Sequence, residues 1–462
     1  MRTLFVLPAI LLILLAVGCK KKSDDCIKGT NVSKAYNIVV MSDNHYMDPS
    51  LLVKDGPAFQ TYLINNGKLL VASDAILREF IGEVLNMNPR PNLVLIPGDL
   101  TKDGELQSHL SVHLYLEQLI QAGIKVRVID GNHDIYNPNA YVFDDSTKTR
   151  VPNIGPNMFR SIYSDCGYSD AIAADPYSMS YVSEPTPNLW LLVIDACKYD
   201  GSYDTAYTAG AIRPNTMTWI KAQLKEASKR GKTVFGMMHH AIFQHFYDEE
   251  KLFKGFLVDN WRREADTLMN NGLKIMFTGH FHASDISDTI GDGKFLYDIN
   301  TGSIVVYPCS YRRITYYKDS ALVIATDTIK IPEFTLPKQD LTFSDYARRL
   351  TKMAGDTMFT SGIYNTYNLK VLASTPPGTT PDTIPKLYAW LIGQRMSVAL
   401  MGNMAGDENE SYQETTLVTN TYNQCGKWSD ATALKPFTSS LWHDLPPPDN
   451  TLTIFLKSGK NQ

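Results

Sequence analysis

The sequence predicts an α/β layered fold. Apolar strands alternate with amphipathic helices over residues 36–335, and residue types that bind metals or handle phosphate stand just past the strands. Runs at 38–41, 93–96, 126–129, 233–238 and 274–277 are almost wholly apolar, as strands covered on both faces require. Between them, residues 74–88 place Ile76, Leu77, Phe80, Ile81, Val84 and Leu85 on one stripe of 3.6 periodicity, with Ser73 as candidate cap and Pro89 behind. A second helix is predicted over 105–122 with Leu106, Leu110, Leu114 and Leu119 inward and Gly123 as its stop, and a third from Asn215 to Arg230 with Gly231 behind. Strand, helix, strand in that order is the signature of layered α/β domains.

Residues 137–187 are rich in Asn, Asp, Pro, Ser and Tyr and lack long periodicity, so they are expected to form a functional rim or to carry small helices. A buried strand resumes from Leu189 to Asp195, and runs at 295–299, 304–307 and 321–325 predict an antiparallel tail to the sheet. Near residue 335 the character changes. The spacing is helical over 343–353 and 387–404, with a Pro-rich loop at 375–381, so 336–462 is expected to be a smaller, mainly helical domain. It holds only His443 of the ten histidines and no comparable ligand cluster.

At 462 residues the chain is too long for one ordinary core. A formal net charge of −4 gives no general attraction for a polyanion, so no nucleic-acid polymer is expected as partner. Residues 1–18 read as a signal peptide: Arg2 opens it, an apolar run from Leu4 to Val17 follows, and small residues precede Cys19. That run is too short for a permanent bilayer span, which needs about 20 residues. The box before Cys19 resembles a bacterial lipoprotein cleavage site, with Ala16 where leucine is commoner. It implies a lipidated Cys19, a tether over 19–35, and a protein anchored to a membrane of the bacterial cell envelope, periplasmic or at the cell surface. Cys26, Cys166, Cys197, Cys309 and Cys425 form no C-x-x-C pair, so thiolate metal sites are not expected. Cys197 and Cys309 read as small buried residues at strand ends.

Five short segments carry the chemistry: Asp43-Asn44-His45, Gly98-Asp99, Gly131-Asn132-His133-Asp134, His239-His240 and Gly279-His280-Phe281-His282. Asp43 and His45 alternate about an Asn, and His280 and His282 about a Phe, so each pair projects from one side of an extended stretch and can grip one ion. Asp99 follows a turn with no competing acid beside it and is the natural carboxylate to bridge two cations. His109 and His113 stand four apart on the second helix without a third ligand in view and are read as a solvated or half-buried face. Gly131 is expected only to permit a turn.

In that order and after strands, these segments resemble the five blocks of the calcineurin-like metallophosphoesterase superfamily, over roughly residues 36–335. Within it the chain looks most like bacterial lipoproteins resembling cyclic-nucleotide phosphodiesterases, on Ile96-Pro97-Gly98-Asp99-Leu100-Thr101 and the helical extension. The resemblance implies a four-layer αββα sandwich and two divalent metal ions (Mn, Fe or Zn). It assigns Asp43, His45, Asp99 and His282 to one ion and Asp99, Asn132, His239 and His280 to the other. It further implies in-line attack by a water or hydroxide between the ions and His133 as general acid, with Asp134 a candidate to orient the imidazole. Many relatives have a proline soon after the fourth-block histidine, where this chain has Ala241-Ile242-Phe243, so the choice between His239 and His240 stays open with His239 preferred. The implied activity is a phosphodiesterase on a small phosphate ester such as a cyclic nucleotide. A phosphomonoesterase or nucleotidase could use the same centre, because loops select the ester. A surface binding protein with structural metals would need no general acid.

Overall fold

Neighbouring residues of single strands face two different cores, and this alternation builds the layers. In the strand Leu189–Ile194, Leu189, Leu191 and Val193 join one apolar cluster while Trp190, Leu192 and Ile194 join another. Thr233–Met238 repeats the pattern, with Phe235 and Met237 on one side and Val234 and Met238 on the other. A strand buried on both faces lies between two layers. In this computed structural model, which describes residues 35–199, 201, 205–247, 249–253, 255–331, 341–366, 393–402, 405–406, 408–424, 439 and 448–462, those layers are two packed sheets with helices outside.

The first sheet runs Thr451–Phe455, Ala321–Thr328, Ser310–Tyr317, Tyr36–Val40, Leu93–Pro97, Lys125–Ile129. Its last three strands are parallel, and the first three are antiparallel to their neighbours. The second runs Ile286–Gly291, Lys294–Asn300, Ile275–Thr278, Thr233–Met238, Leu189–Ile194, Tyr181–Thr186, Ala173–Ala174, parallel from Lys294–Asn300 to Leu189–Ile194. Helices Ser73–Asn86 and Leu106–Gln121 bury one stripe each in the first cluster, and Pro214–Lys229 and Trp261–Asn270 cover the second sheet. This is the mixed α/β sandwich the alternation predicts. Truncating one of the wholly buried leucines or isoleucines to alanine costs about 2 to 5 kcal/mol.

Several expectations are corrected in detail. On Leu106–Gln121 the inward stripe is His109, Val112, Leu116 and Leu119, while Leu110 and Leu114 face solvent at 43% and 62% exposure. Both stripes fit helical spacing, and the packing of Phe159 and Tyr163 against His109 selects the first. Ser73 does not cap: Ala72 holds the cap position, and the Ser73 hydroxyl donates to the Leu70 carbonyl at 2.8 Å and accepts from the Met47 amide at 3.1 Å. Residues 304–307 are turn rather than strand, and Ser310–Tyr317 pairs in their place. The rim at 137–187 contains the hairpin Tyr141–Asp144 and Thr147–Arg150, the helix Pro156–Ile162 and the strand Tyr181–Thr186.

The 336–462 span is helical over Phe343–Thr366, 393–402 and Glu408–Gln424, but its end returns to the first sheet. Thr451–Phe455 pairs with Ala321–Thr328, Leu452, Ile454 and Leu456 enter the main core, and the buried Arg312 guanidinium bonds the Asp449 carbonyl. This stretch therefore completes the layered fold instead of belonging to a separate helical body. Cys197 and Cys309 are buried free thiols at strand ends, as is Cys166 in a short turn. The signal peptide at 1–18, Cys19, the tether through residue 34, Cys26, the 375–381 loop, Cys425 and His443 lie outside the described residues.

Candidate metal centre

Five strands, three from the first sheet and two from the second, deliver the five segments to one rim. Tyr36–Val40 leads to Asp43 and His45, Leu93–Pro97 to Asp99, Thr233–Met238 to His239 and Ile275–Thr278 to His280 and His282, while Lys125–Ile129 brings Asn132 and His133. The loops are laced by backbone: the Asp43 amide donates to Gly98 O at 3.3 Å and the His45 amide to Asp99 O at 2.9 Å. Two glycines permit the approach. A Cβ on Gly131 would lie 2.1 Å from the Asp99 amide nitrogen, and one on Gly279 would lie 2.0 Å from the Ser42 hydroxyl. The requirement at Gly131 is close contact, not the turn expected from the sequence.

Asp43, His45, Asp99, His280 and His282 adopt positive φ of 53°, 37°, 48°, 71° and 63°. Non-glycine residues rarely take this left-handed region, which costs on the order of 1 to 3 kcal/mol each and persists where surrounding structure enforces it. Five strained positions among the seven residues assigned to metal binding are a local compromise of stability for aim.

Two groups of ligand atoms result. In the first, His45 Nε2 lies 3.0 Å from His282 Nε2, 3.5 Å from Asp99 Oδ2 and 3.9 Å from Asp43 Oδ1, and His282 Nε2 lies 3.4 Å from Asp43 Oδ1. In the second, His239 Nε2 lies 3.4 Å from Asp99 Oδ2, 3.1 Å from Asn132 Oδ1 and 3.1 Å from His280 Nδ1. A cation with ligands at about 2.1 Å holds neighbouring ligand atoms about 3.0 to 3.4 Å apart for right to tetrahedral angles. Most of the observed separations match that spacing, and Asp99 Oδ2 belongs to both groups. Imidazole with carboxylate and amide oxygen suits a borderline divalent ion.

The back of each ring determines which nitrogen is free. His239 Nδ1 donates to the Pro97 carbonyl at 2.8 Å and His280 Nε2 to the Gly255 carbonyl at 3.2 Å, leaving His239 Nε2 and His280 Nδ1 as lone pairs toward the group. His240 takes no part. Its Nε2 donates to Thr208 O at 2.9 Å, and burial followed by the nearby His239 pushes it down to about 3. Burial depresses His45 and His280 far below the usual imidazole range. Burial works against His239 too, but Asp99 beside it prevails and raises it to about 9. The Asp99 carboxyl, though desolvated, is held well below its usual range by His239, His133 and His45.

His133 is positioned by residues the motifs did not name. Its Nδ1 donates to Asp103 Oδ1 at 2.9 Å and lies 2.8 Å from Lys102 O, so Nε2 is the outward nitrogen. Asp103 is buried, paired with Lys102 Nζ at 2.7 Å, and accepts from the Tyr62 hydroxyl at 2.6 Å. Asp134 does not orient the imidazole. Its carboxylate accepts from the amides of Leu100, Thr101 and Gly131 and so staples the Asp99 loop to the Asn132 loop. His109 sits behind, wholly buried, bonded to Tyr163 OH at 2.9 Å and to Asp134 O at 3.1 Å, and burial pushes it down to about 3; the half-solvated reading applies only to His113, which pairs with Asp165. The side chains of His133 and His282 remain 22% and 18% exposed while Asp43, His45 and His239 are fully buried, so the centre opens on the His133 side.

Residues 36–284, more than half of the chain, match the sequence profile of the calcineurin-like phosphoesterases. Among solved structures, a dimetal phosphatase from Danio rerio is similar at 14% identity, covering 64% of this chain and 99% of its own, with a TM-score of 0.44. A purple acid phosphatase from yellow lupin (Lupinus luteus) seeds is similar at 10% identity, covering 66% of this chain and 53% of its own, with a TM-score of 0.41. No curated protein matches the chain.

Proposed function

The chain belongs to the calcineurin-like phosphoesterase family, and from that premise we propose that it is a metal-dependent phosphodiesterase acting on a small phosphodiester, a cyclic nucleotide in the first instance. The observation that carries this reading is the pair of cation-spaced ligand groups sharing Asp99 Oδ2, with His133 at their open side. Asp43, His45, Asp99 and His282 would hold one divalent ion and Asp99, Asn132, His239 and His280 the other. When bound, the ions supply Lewis-acid stabilisation of phosphoryl oxygens and an acidified water for in-line attack.

The protein's own groups do the rest. The buried Asp43, His45 and His239 side chains exclude bulk water from the rear of the centre, so the ester approaches past His133 and His282. Asp103 fixes the His133 proton on Nδ1 and stabilises a second proton on Nε2, which the imidazole hands to the departing alkoxide. The departing alkoxide takes this proton whether the ester is a diester or a monoester, and the diester reading is supported instead by the likeness of Ile96-Pro97-Gly98-Asp99-Leu100-Thr101 to cyclic-nucleotide phosphodiesterases.

The test is hydrolysis of a phosphate diester, the corresponding monoester and cyclic nucleotides by purified metal-loaded protein lacking residues 1–18. Metal-dependent diester cleavage abolished by Asp99→Ala is expected, and faster monoester turnover would overturn the assignment. Lipidation of Cys19 would place the enzyme on a membrane of the bacterial envelope; Cys19→Ala is then expected to move activity from the membrane to the soluble fraction.

A further inference from the structure

Lys68 is buried between the imidazole of His45 at the rear of the centre and that of His133 at its open side. Its Nζ lies 3.2 Å from His45 Nδ1 and 3.4 Å from His133 Nε2, and these are its hydrogen-bonding partners among the described residues. The segment is firmly held: the Leu69 amide donates to Val305 O at 2.7 Å, and a Cβ on Gly67 would lie 2.6 Å from Ala354 of the helix Phe343–Thr366. The helical region beyond the sandwich thus braces the loop that carries the lysine.

His239 and His280 turn their rear nitrogens to carbonyl oxygens, whereas His45 turns its rear nitrogen to the Lys68 amino group. The same amino group lies beside His133 Nε2, the outward nitrogen on the open side, and no carboxylate lies within ion-pair distance of it among the described residues. A buried basic side chain held there without an anionic partner is placed to take an anionic ligand that enters past His133. Resting on the reading of this site as a phosphoester hydrolase, we propose that Lys68 is a substrate-binding residue whose ammonium grips a non-bridging phosphoryl oxygen beside the leaving group. The ligand chemistry is an anionic phosphate oxygen on the side of the first ion group, next to His133.

The experiment uses the metal-loaded chain and inorganic phosphate as probe, with binding read by titration calorimetry and bound metal by elemental analysis. Lys68→Met is expected to keep both ions and to weaken phosphate binding tenfold or more. Lys68→Gln is the second variant should the first not fold, with the same expectation. Equal phosphate affinity in the variant, loss of an ion from it, or no phosphate binding by the wild-type protein would each overturn the proposal; loss of an ion would show that Lys68 serves His45 instead. Phosphate presents the same oxygens whichever ester is natural, so an error in diester preference would leave this result untouched, and the reverse.

Discussion

Asp103→Asn isolates the contact that, on the proposed reading, makes His133 an acid. The wild-type bond from Nδ1 to Asp103 Oδ1 is 2.9 Å long, buried and, for a protonated imidazole, charge-assisted. Hydrogen bonds to charged groups are worth about 1.5 to 3 kcal/mol against about 0.5 to 1.5 for neutral ones, so the charge of Asp103 contributes on the order of 1 to 2 kcal/mol to the protonated form. At about 1.4 kcal/mol per tenfold in rate, its loss is expected to lower kcat about tenfold, with bound metal unchanged. With its one oxygen kept toward His133, the substituted amide would turn its nitrogen to Tyr62, whose hydroxyl would accept, and Lys102 would keep Glu105 at 2.6 Å, but breaking the Lys102–Asp103 pair lowers stability, so rates must be read well below the unfolding midpoint. In a His133→Ala background the same change should have little further effect on kcat. An unchanged kcat, or an undiminished effect without His133, would refute the reasoning.

Gly131→Ala should fold poorly or lose ions, because its Cβ would enter the Asp99 amide; elemental analysis of the purified variant checks this, and full metal content at normal stability would contradict it. Ile454→Ala should cost about 2 to 5 kcal/mol in denaturant unfolding if the last strand is part of the main core, and under about 1 kcal/mol if it is a loose appendage. His109 is held neutral by burial at about 3, below its unfolded value, so its contribution is present above about pH 6.5 and lost as pH falls through the interval down to about 3; at pH 5 the loss is about 2 kcal/mol. His109→Gln should remove that part of the acid sensitivity, and an unchanged pH dependence of unfolding would count against it.

The sequence exposed those features that are local along the chain. Five ligand segments were legible because each couples an apolar strand to its own carboxyl end, and the α/β fold then brings those ends to one rim. Lys68 and Asp103 were not, since their closeness to His133 arises from loop paths with no periodicity to read. The orienting role given to Asp134 failed for a related reason: proximity in sequence placed it beside His133, yet its carboxylate turns to three amides on both loops. On Leu106–Gln121 two stripes had similar apolar content, and only tertiary packing chose between them. The last strand did leave a signal. Thr451–Phe455 alternates exposed and buried residues with period two, which a helical reading of the whole tail obscured.

Counting bound ions tests the shared role of Asp99 most directly. The wild-type protein, loaded with manganese and dialysed, is expected to hold two ions per chain, His280→Ala to hold one, and Asp99→Ala to lose both sites' affinity, because Asp99 Oδ2 alone stands in both ligand groups. An Asp99→Ala protein that folds and still retains two ions, or a wild-type protein that binds one, would contradict the account.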